Sequence, residues 1–195
     1  IKALPDSHWK NVKMAEAKQL IFACLGLFAD ATTNEAVLAE GTTNTIQIRA
    51  INRANIPVEL KSLQLANQSI AINQILKTGE DYTKNVPLRV PNDAPITQPY
   101  WLKQAHPPGY YSVSGPDSLQ LISRPMNPPA YTANIQLQIA GTDLSLNLPV
   151  SYRHTDAVKG ELYQPLVIAP PVTINKEDPV VVCSQEQPVK IIRTE

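Results

Sequence analysis

Net charge is the first thing this sequence lacks: 17 Lys and Arg balance 17 Asp and Glu along 195 residues. Without a surplus of either sign there is no long-range field to gather phosphate or anionic lipid, which argues against nucleic-acid binding and electrostatic membrane docking. Charge of any kind is scarce, at 17%, against roughly 25% in ordinary soluble domains. Asn, Gln, Thr and Ser fill the polar positions instead, a surface that suits a secreted protein. Glycine is also scarce, 7 residues against 18 prolines, which excludes collagen-like and Gly/Ser-linker compositions and predicts stiff, extended loops. No apolar run approaches the roughly 18 residues of a membrane-crossing helix, so membrane insertion is not expected. The two cysteines, Cys24 and Cys183, lie near opposite ends of the chain. That spacing fits neither a zinc motif nor a small disulfide framework, and apolar surroundings predict two buried free thiols. The opening Ile1, the lack of a signal-like leader, and strand-like Val189, Ile191 and Ile192 shortly before Glu195 predict a segment of a longer protein.

What is present reads mainly as strand. Residues 6–25 have the one convincing helical pattern, with Met14, Ala17, Ile21 and Cys24 to Leu25 on an apolar face, Asp6 or Ser7 as N-cap and Gly26 as terminator. Beyond Gly26 the period changes to two. Ile46 and Ile48 alternate with Gln47 and Arg49, and 52–55 reads as a turn. Ile56, Val58 and Leu60 share one parity while Leu63 and Leu65 take the other, which predicts a bulge near Lys61-Ser62 or a strand changing sheets. Short strands follow at 70–76 and 86–90, with Pro87 at an edge or bulge. The clearest hairpin is 133–152: Ala133, Ile135, Leu137 and Ile139 oppose Leu144, Leu146, Leu148, Val150 and Tyr152 across a turn at 140–143. Further strands are predicted at 162–169, 172–174 and 180–183. One helix and eight or nine short, half-buried strands predict a mainly β fold, an immunoglobulin-like antiparallel sandwich. The proline-packed stretch 91–118 breaks the alternation and reads as a long ordered loop.

Catalytic signals are weak. His154 and Asp156 point the same way on a strand but make no metal site without a third ligand. Ala105-His106-Pro107 begins like an Ala-His-Pro-Asp-Asp zinc motif, yet Pro108-Gly109 replaces both acids, leaving nothing to hold a metal or deprotonate water. His8 belongs to no signature, and no serine-hydrolase elbow, phosphate loop or dinucleotide fingerprint occurs. Catalysis within this segment, a resident metal and a cofactor are therefore not expected. Aromatics are more suggestive, because Tyr100, Trp101, Tyr110 and Tyr111 all fall in the proline-rich loop. Either they fold onto the sandwich, or they form a stacking platform for a sugar ring, with Gln98, Gln104 and Asp117 binding hydroxyls.

Four strings point further: Cys24-Leu25-Gly26-Leu27-Phe28; Ala50-Ile51-Asn52-Arg53 before Ile56-Pro57-Val58; Gln98-Pro99-Tyr100-Trp101-Leu102; and Pro149-Val150-Ser151-Tyr152-Arg153 followed by Val158 to Pro165. Together they resemble the region downstream of the catalytic domain in large secreted PIG-L/LmbE-like deacetylases, over almost the whole chain. The resemblance implies a separate zinc-dependent domain acting on N-acetylglucosamine-type sugars, a periplasmic or extracellular location, and no catalytic residue in this chain. On it, residues 1–33 are a helix linking to an upstream domain, 34–170 the sandwich, and 171–195 a strand-forming tail or the start of another module. Two functions follow: an accessory sandwich that positions adjacent domains through the helix face, or a carbohydrate-binding module built on the loop aromatics.

Overall fold

The computed structural model describes residues 4–115, 118–122 and 124–174. Its N-terminal helix α1, His8–Leu25, begins where Ser7 takes an extended backbone and its hydroxyl accepts the Lys10 N–H at 3.1 Å. That bond satisfies one of the donors a helix start leaves orphaned. The neighbouring Asp6 carboxylate pairs instead with Lys10 Nζ at 2.8 Å. The helix stops at Gly26, φ 56°, and the Leu27 N–H reaches back to the Phe22 carbonyl at 3.2 Å, a closure that needs a left-handed residue. The buried face differs from the expected one: Phe22 and Leu25 are buried, Met14 is half-buried, and Ile21 and Cys24 are exposed. Phe22 shares its stripe with Lys18, whose stem lies toward the sheet with Nζ donating to Ser145 Oγ at 3.4 Å. A lysine with a buried stem disguises an inward-facing stripe as a polar one. Cys24 is consequently an exposed thiol, and Cys183 lies outside the described residues.

Ten strands follow among the described residues: β1 Phe28–Thr33, β2 Val37–Ala39, β3 Thr43–Ile51, β4 Val58–Leu65, β5 Gln68–Leu76, β6 Asp81–Arg89, β7 Thr132–Ile139, β8 Thr142–Asp156, β9 Gly160–Pro165 and β10 Val167–Ala169. The main sheet runs β5-β4-β7-β8-β1-β3-β6, with β9 also on β8. The long β8 creates the two layers. Its first half, to Pro149, pairs with β7; from Val150 onward it pairs with β1 and β9. The protein is thus mainly β and sandwich-like, a single sheet curled until its ends nearly meet. At that seam β5 and β6 are joined by residues 77–80, and Gln68 Nε2 donates to the Pro87 carbonyl at 2.7 Å. Pro87 has no N–H to offer a ladder, which fits its place on the last strand of the path.

The core lies between the layers. Ile46, Ile48 and Ala50 of β3 meet Val58, Leu60, Leu63 and Leu65 of β4 and Ala133, Ile135 and Leu137 of β7, all buried. The parity conflict in β4 is resolved by a bulge between Leu60 and Ser62. Against β7 the extra residue is Lys61; against β5 the irregularity recurs, and there Asn73 takes φ 51°. Asparagine tolerates the left-handed region better than most side chains. The β7–β8 hairpin closes on Ala140-Gly141, with φ 46° and 77°, a two-residue turn that favours Asn-Gly. Ala140→Asn is expected to stabilise the protein by up to about 1 kcal/mol, the order of the penalty for a left-handed alanine. Its thermal unfolding midpoint, measured beside wild type, checks this.

Several expectations need correction. Residues 28–33, assigned with the helix to a linker, form β1 in the middle of the main sheet, between β8 and β3. The sheet is mixed, since β1 runs parallel to β8, and β10 runs parallel to β2 in a separate pair. The strand expected over 162–169 breaks at Leu166: its first part stays on β8 and its second moves to β2. Val172 and Ile174 form no strand and are exposed, and the strands expected at 180–183 and 189–192 lie outside the described residues.

Candidate functional site

Between β6 and β7 the described chain forms only a single 3-10 turn, Tyr100–Leu102, and the four-residue helix α2, Ser118–Leu121. Prolines cause this, because each removes a ladder donor and fixes φ. The base of the loop is nevertheless tied down. Buried Val90 donates to the Thr42 carbonyl at 2.8 Å and accepts from Gly41 at 3.1 Å. Thr97 donates to the Ile168 carbonyl at 2.9 Å, and its hydroxyl accepts the Ile168 N–H at 3.0 Å. Farther out, Asn127 clamps two segments: its Oδ1 accepts the Tyr100 N–H at 3.0 Å and its Nδ2 donates to the Gln98 carbonyl at 2.5 Å. The Tyr100 hydroxyl donates to the Arg124 carbonyl at 3.1 Å.

These braces hold open a cleft of about 730 Å³ between the loop and β10, within the range of about 300–1,000 Å³ usual for small-molecule sites. A smaller cavity of about 160 Å³ adjoins it across Tyr100 and Lys103. Gln98 and Tyr100 line the large cleft, and Gln104 lines the small one, donating to Ser114 Oγ. Trp101, Tyr110 and Tyr111 line neither. The Trp101 ring meets Tyr100 edge-on at 88°, and Tyr111 tilts at 55° against His106. Tyr110 and Tyr111 are exposed, and no coplanar pair is formed among these four rings. Asp117 lies outside the described residues. The cleft draws its charges from Asp93, Lys103 and Arg124 and its second phenol from Tyr131, none of which the sequence pattern singled out. A signal for the far wall was available: Asn127-Pro128-Pro129 continues the proline-rich composition past residue 118. Burial pushes the Tyr131 phenol up, so it stays a neutral hydrogen-bonding group at physiological pH.

A second concentration of charge sits on β1, β3, β8 and β9. Asp30 Oδ2 lies 3.7 Å from Arg153 Nη1 and 3.4 Å from the Tyr163 hydroxyl, while Arg153 Nη2 donates to Gln47 Oε1 at 3.2 Å. Arg49 pairs with Asp81 at 2.9 Å. Burial raises the Asp30 carboxyl above its ordinary range, and the cations Arg49 and Arg153 oppose this only in part. A carboxyl raised on folding binds its proton more tightly in the folded state, so its contribution to stability falls as pH climbs from the ordinary Asp range through the folded value. Asp30→Asn removes that slope. Wild type is therefore expected to lose stability relative to Asp30→Asn between acidic and neutral pH, read as the difference of urea midpoints; a pH-independent difference contradicts the assignment.

The His154 and Asp156 pairing considered as a metal fragment is used otherwise. Asp156 Oδ1 accepts the Val158 and Lys159 N–H groups at 2.8 and 2.7 Å, shaping the β8–β9 turn and lowering its own pKa. His154 stacks on Tyr152 at 5.0 Å. Among the described residues no three His, Cys, Asp or Glu side chains gather as a metal would need, and no helix is long and apolar enough to cross a membrane. Compared with known proteins, the chain matches no family model, no curated protein and no solved structure.

Proposed function

We propose that this chain is a non-catalytic accessory segment of a larger secreted, sugar-deacetylase-like protein, a sandwich that positions adjacent domains. The observation that carries the reading is α1. Eighteen residues of capped helix, about 27 Å at 1.5 Å per residue, are anchored by Phe22 and Leu25 near one end. Trp9 is 70% exposed and Leu20 65%. Leaving a tryptophan and a leucine in water forgoes roughly 2–3 kcal/mol each, a loss that docking against a neighbouring domain recovers. The four strings that resemble PIG-L/LmbE-like proteins supply the context; in that setting bond-breaking belongs to another domain, and the segment itself needs no cofactor.

Trp9 provides the test. Taken as the difference between spectra recorded without and with Trp9→Phe, its fluorescence is expected to be water-like in this 195-residue segment and blue-shifted in the parent protein. Emission that stays water-like in the parent overturns the docking role.

A further inference from the structure

We propose that the cleft beneath the long loop binds a short acidic saccharide, sugar rings carrying carboxylates, and that Lys103 and Arg124 select the acid. The site is independent of any positioning role for the sandwich.

Preorganisation is the first argument. Pro91, Pro95, Pro128 and Pro129 line the cleft, and each has its φ fixed before any ligand arrives. The Asn127 clamp and the Thr97–Ile168 pair hold the walls to each other and to β10. Ordering the loop therefore costs little on binding, the condition under which a modest set of contacts yields useful affinity.

Chemistry of the lining is the second. Tyr100 and Tyr131 line the cleft, the Tyr100 hydroxyl being held by the Arg124 carbonyl, and phenol rings suit the C–H faces of a pyranose. The amides of Gln98 and Gln120 both donate and accept, as hydroxyls require. Neither amide side chain is spent on an internal hydrogen bond among the described residues.

Electrostatics decides between a neutral and an acidic ligand. Two cations, Lys103 and Arg124, line the cleft against one carboxylate, Asp93, in a chain whose net charge is zero. None of the three is ion-paired among the described residues. Both side chains are exposed, so a neutral ligand leaves them hydrated and gains nothing from their charge. A carboxylate compensates them, and the arginine fork matches its two oxygens.

The test is a calorimetric titration of the whole chain with a galacturonate trimer and with the matching neutral galactose trimer. The acidic trimer is expected to bind at least about tenfold more tightly and to weaken with added salt. Arg124→Gln and Lys103→Gln should each lower that affinity by about tenfold, the scale of one hydrogen bond to a charged group, without moving the thermal midpoint. Lys159→Gln, on the exposed β8–β9 turn, should change nothing. Equal binding of the two trimers, binding of neither, an equal loss with Lys159→Gln, or displacement by millimolar inorganic phosphate each overturns the proposal.

Discussion

Leu63→Ala is expected to cost about 2–5 kcal/mol, whereas deleting Lys61, two residues earlier in the same strand, is expected to leave the protein folded. β4 is paired on both edges, to β5 and β7, so its register cannot drift at one edge alone. The residue inserted at Lys61 lets Val58 and Leu60 face the core on one side of the bulge and Leu63 and Leu65 on the other; all four are at most 1% exposed. Removing it restores strict alternation with all four on one face, because side chains in a strand alternate with a period of two; the ladder with β7 then runs without interruption and only the irregularity against β5 remains. Leu63, by contrast, is fully buried; truncating it forfeits roughly 1.5–3 kcal/mol of burial and leaves a cavity, together a large share of the net stability of a domain, about 5–15 kcal/mol. Lys61→Ala separates backbone from side chain. It removes only the half-exposed ion pair with Glu59 at 2.9 Å, worth at most about 1 kcal/mol. Urea midpoints of the deletion and Lys61→Ala variants should lie close together and well above that of Leu63→Ala; a deletion variant as unstable as Leu63→Ala shows that the extra residue is needed to keep the four side chains inward.

Much of the fold was legible because burial and period coincide. In β3 and β7, and in β4 on either side of its bulge, buried apolar residues recur at every second position, so alternation located the strands and its break in β4 located the bulge. β1 carried no such signal. Phe28-Ala-Asp-Ala-Thr-Thr33 has one large apolar side chain, yet it lies between two partners in the sheet. There its small residues fill the space under the core while Thr32 and Thr33 are buried as polar groups. A strand defined by its neighbours rather than by its own hydrophobicity leaves no period to read. The break at Leu166 was hidden for the opposite reason: Leu162 to Ala169 is apolar enough to read as one strand, and only the tertiary competition between β8 and β2 divides it.

The candidate site divided along similar lines. Proline density marked the loop and its prolines do wall the cleft, but aromatic density misplaced the focus. Tyr100 faces the cavity, whereas Trp101, Tyr110 and Tyr111 do not line it. Adjacent residues in an irregular loop share no periodic face, so neighbours in sequence carry no information about which side chains converge. Arg124 and Asn127 come from the far wall, past the 91–118 stretch that the broken alternation marks as a loop. Their approach to Tyr100 and Gln98 depends on a long-range closure that no local pattern encodes.

Asn52→Ala is expected to cost about 2–6 kcal/mol, although it deletes a single small polar group. Asn52 is 1% exposed and stands where three chain segments meet. Its Nδ2 donates to the Ile56 carbonyl at 2.9 Å and to the Leu76 carbonyl at 3.2 Å, its Oδ1 accepts the Ala54 N–H at 3.1 Å, and its own carbonyl accepts the Gly79 N–H at 2.8 Å. One amide thus holds the end of β3 to the start of β4 and the end of β5. Alanine strands the buried Leu76 carbonyl, a penalty of about 1–3 kcal/mol, and loses two partly buried bonds of about 0.5–1.5 kcal/mol each. Asn52→Asp sharpens the test. It keeps the acceptor for Ala54 but turns the donor into a second carboxylate oxygen facing two carbonyls, a contact that favours the protonated acid and raises its pKa. Stability of this variant should therefore rise, relative to wild type, as pH falls from neutral through the raised value, because only the protonated carboxyl can donate to either carbonyl. Urea titrations at neutral and acidic pH decide it: an Asn52→Ala midpoint within about 0.5 kcal/mol of wild type, the range of ordinary surface substitutions, would show that the three segments are held together by packing alone.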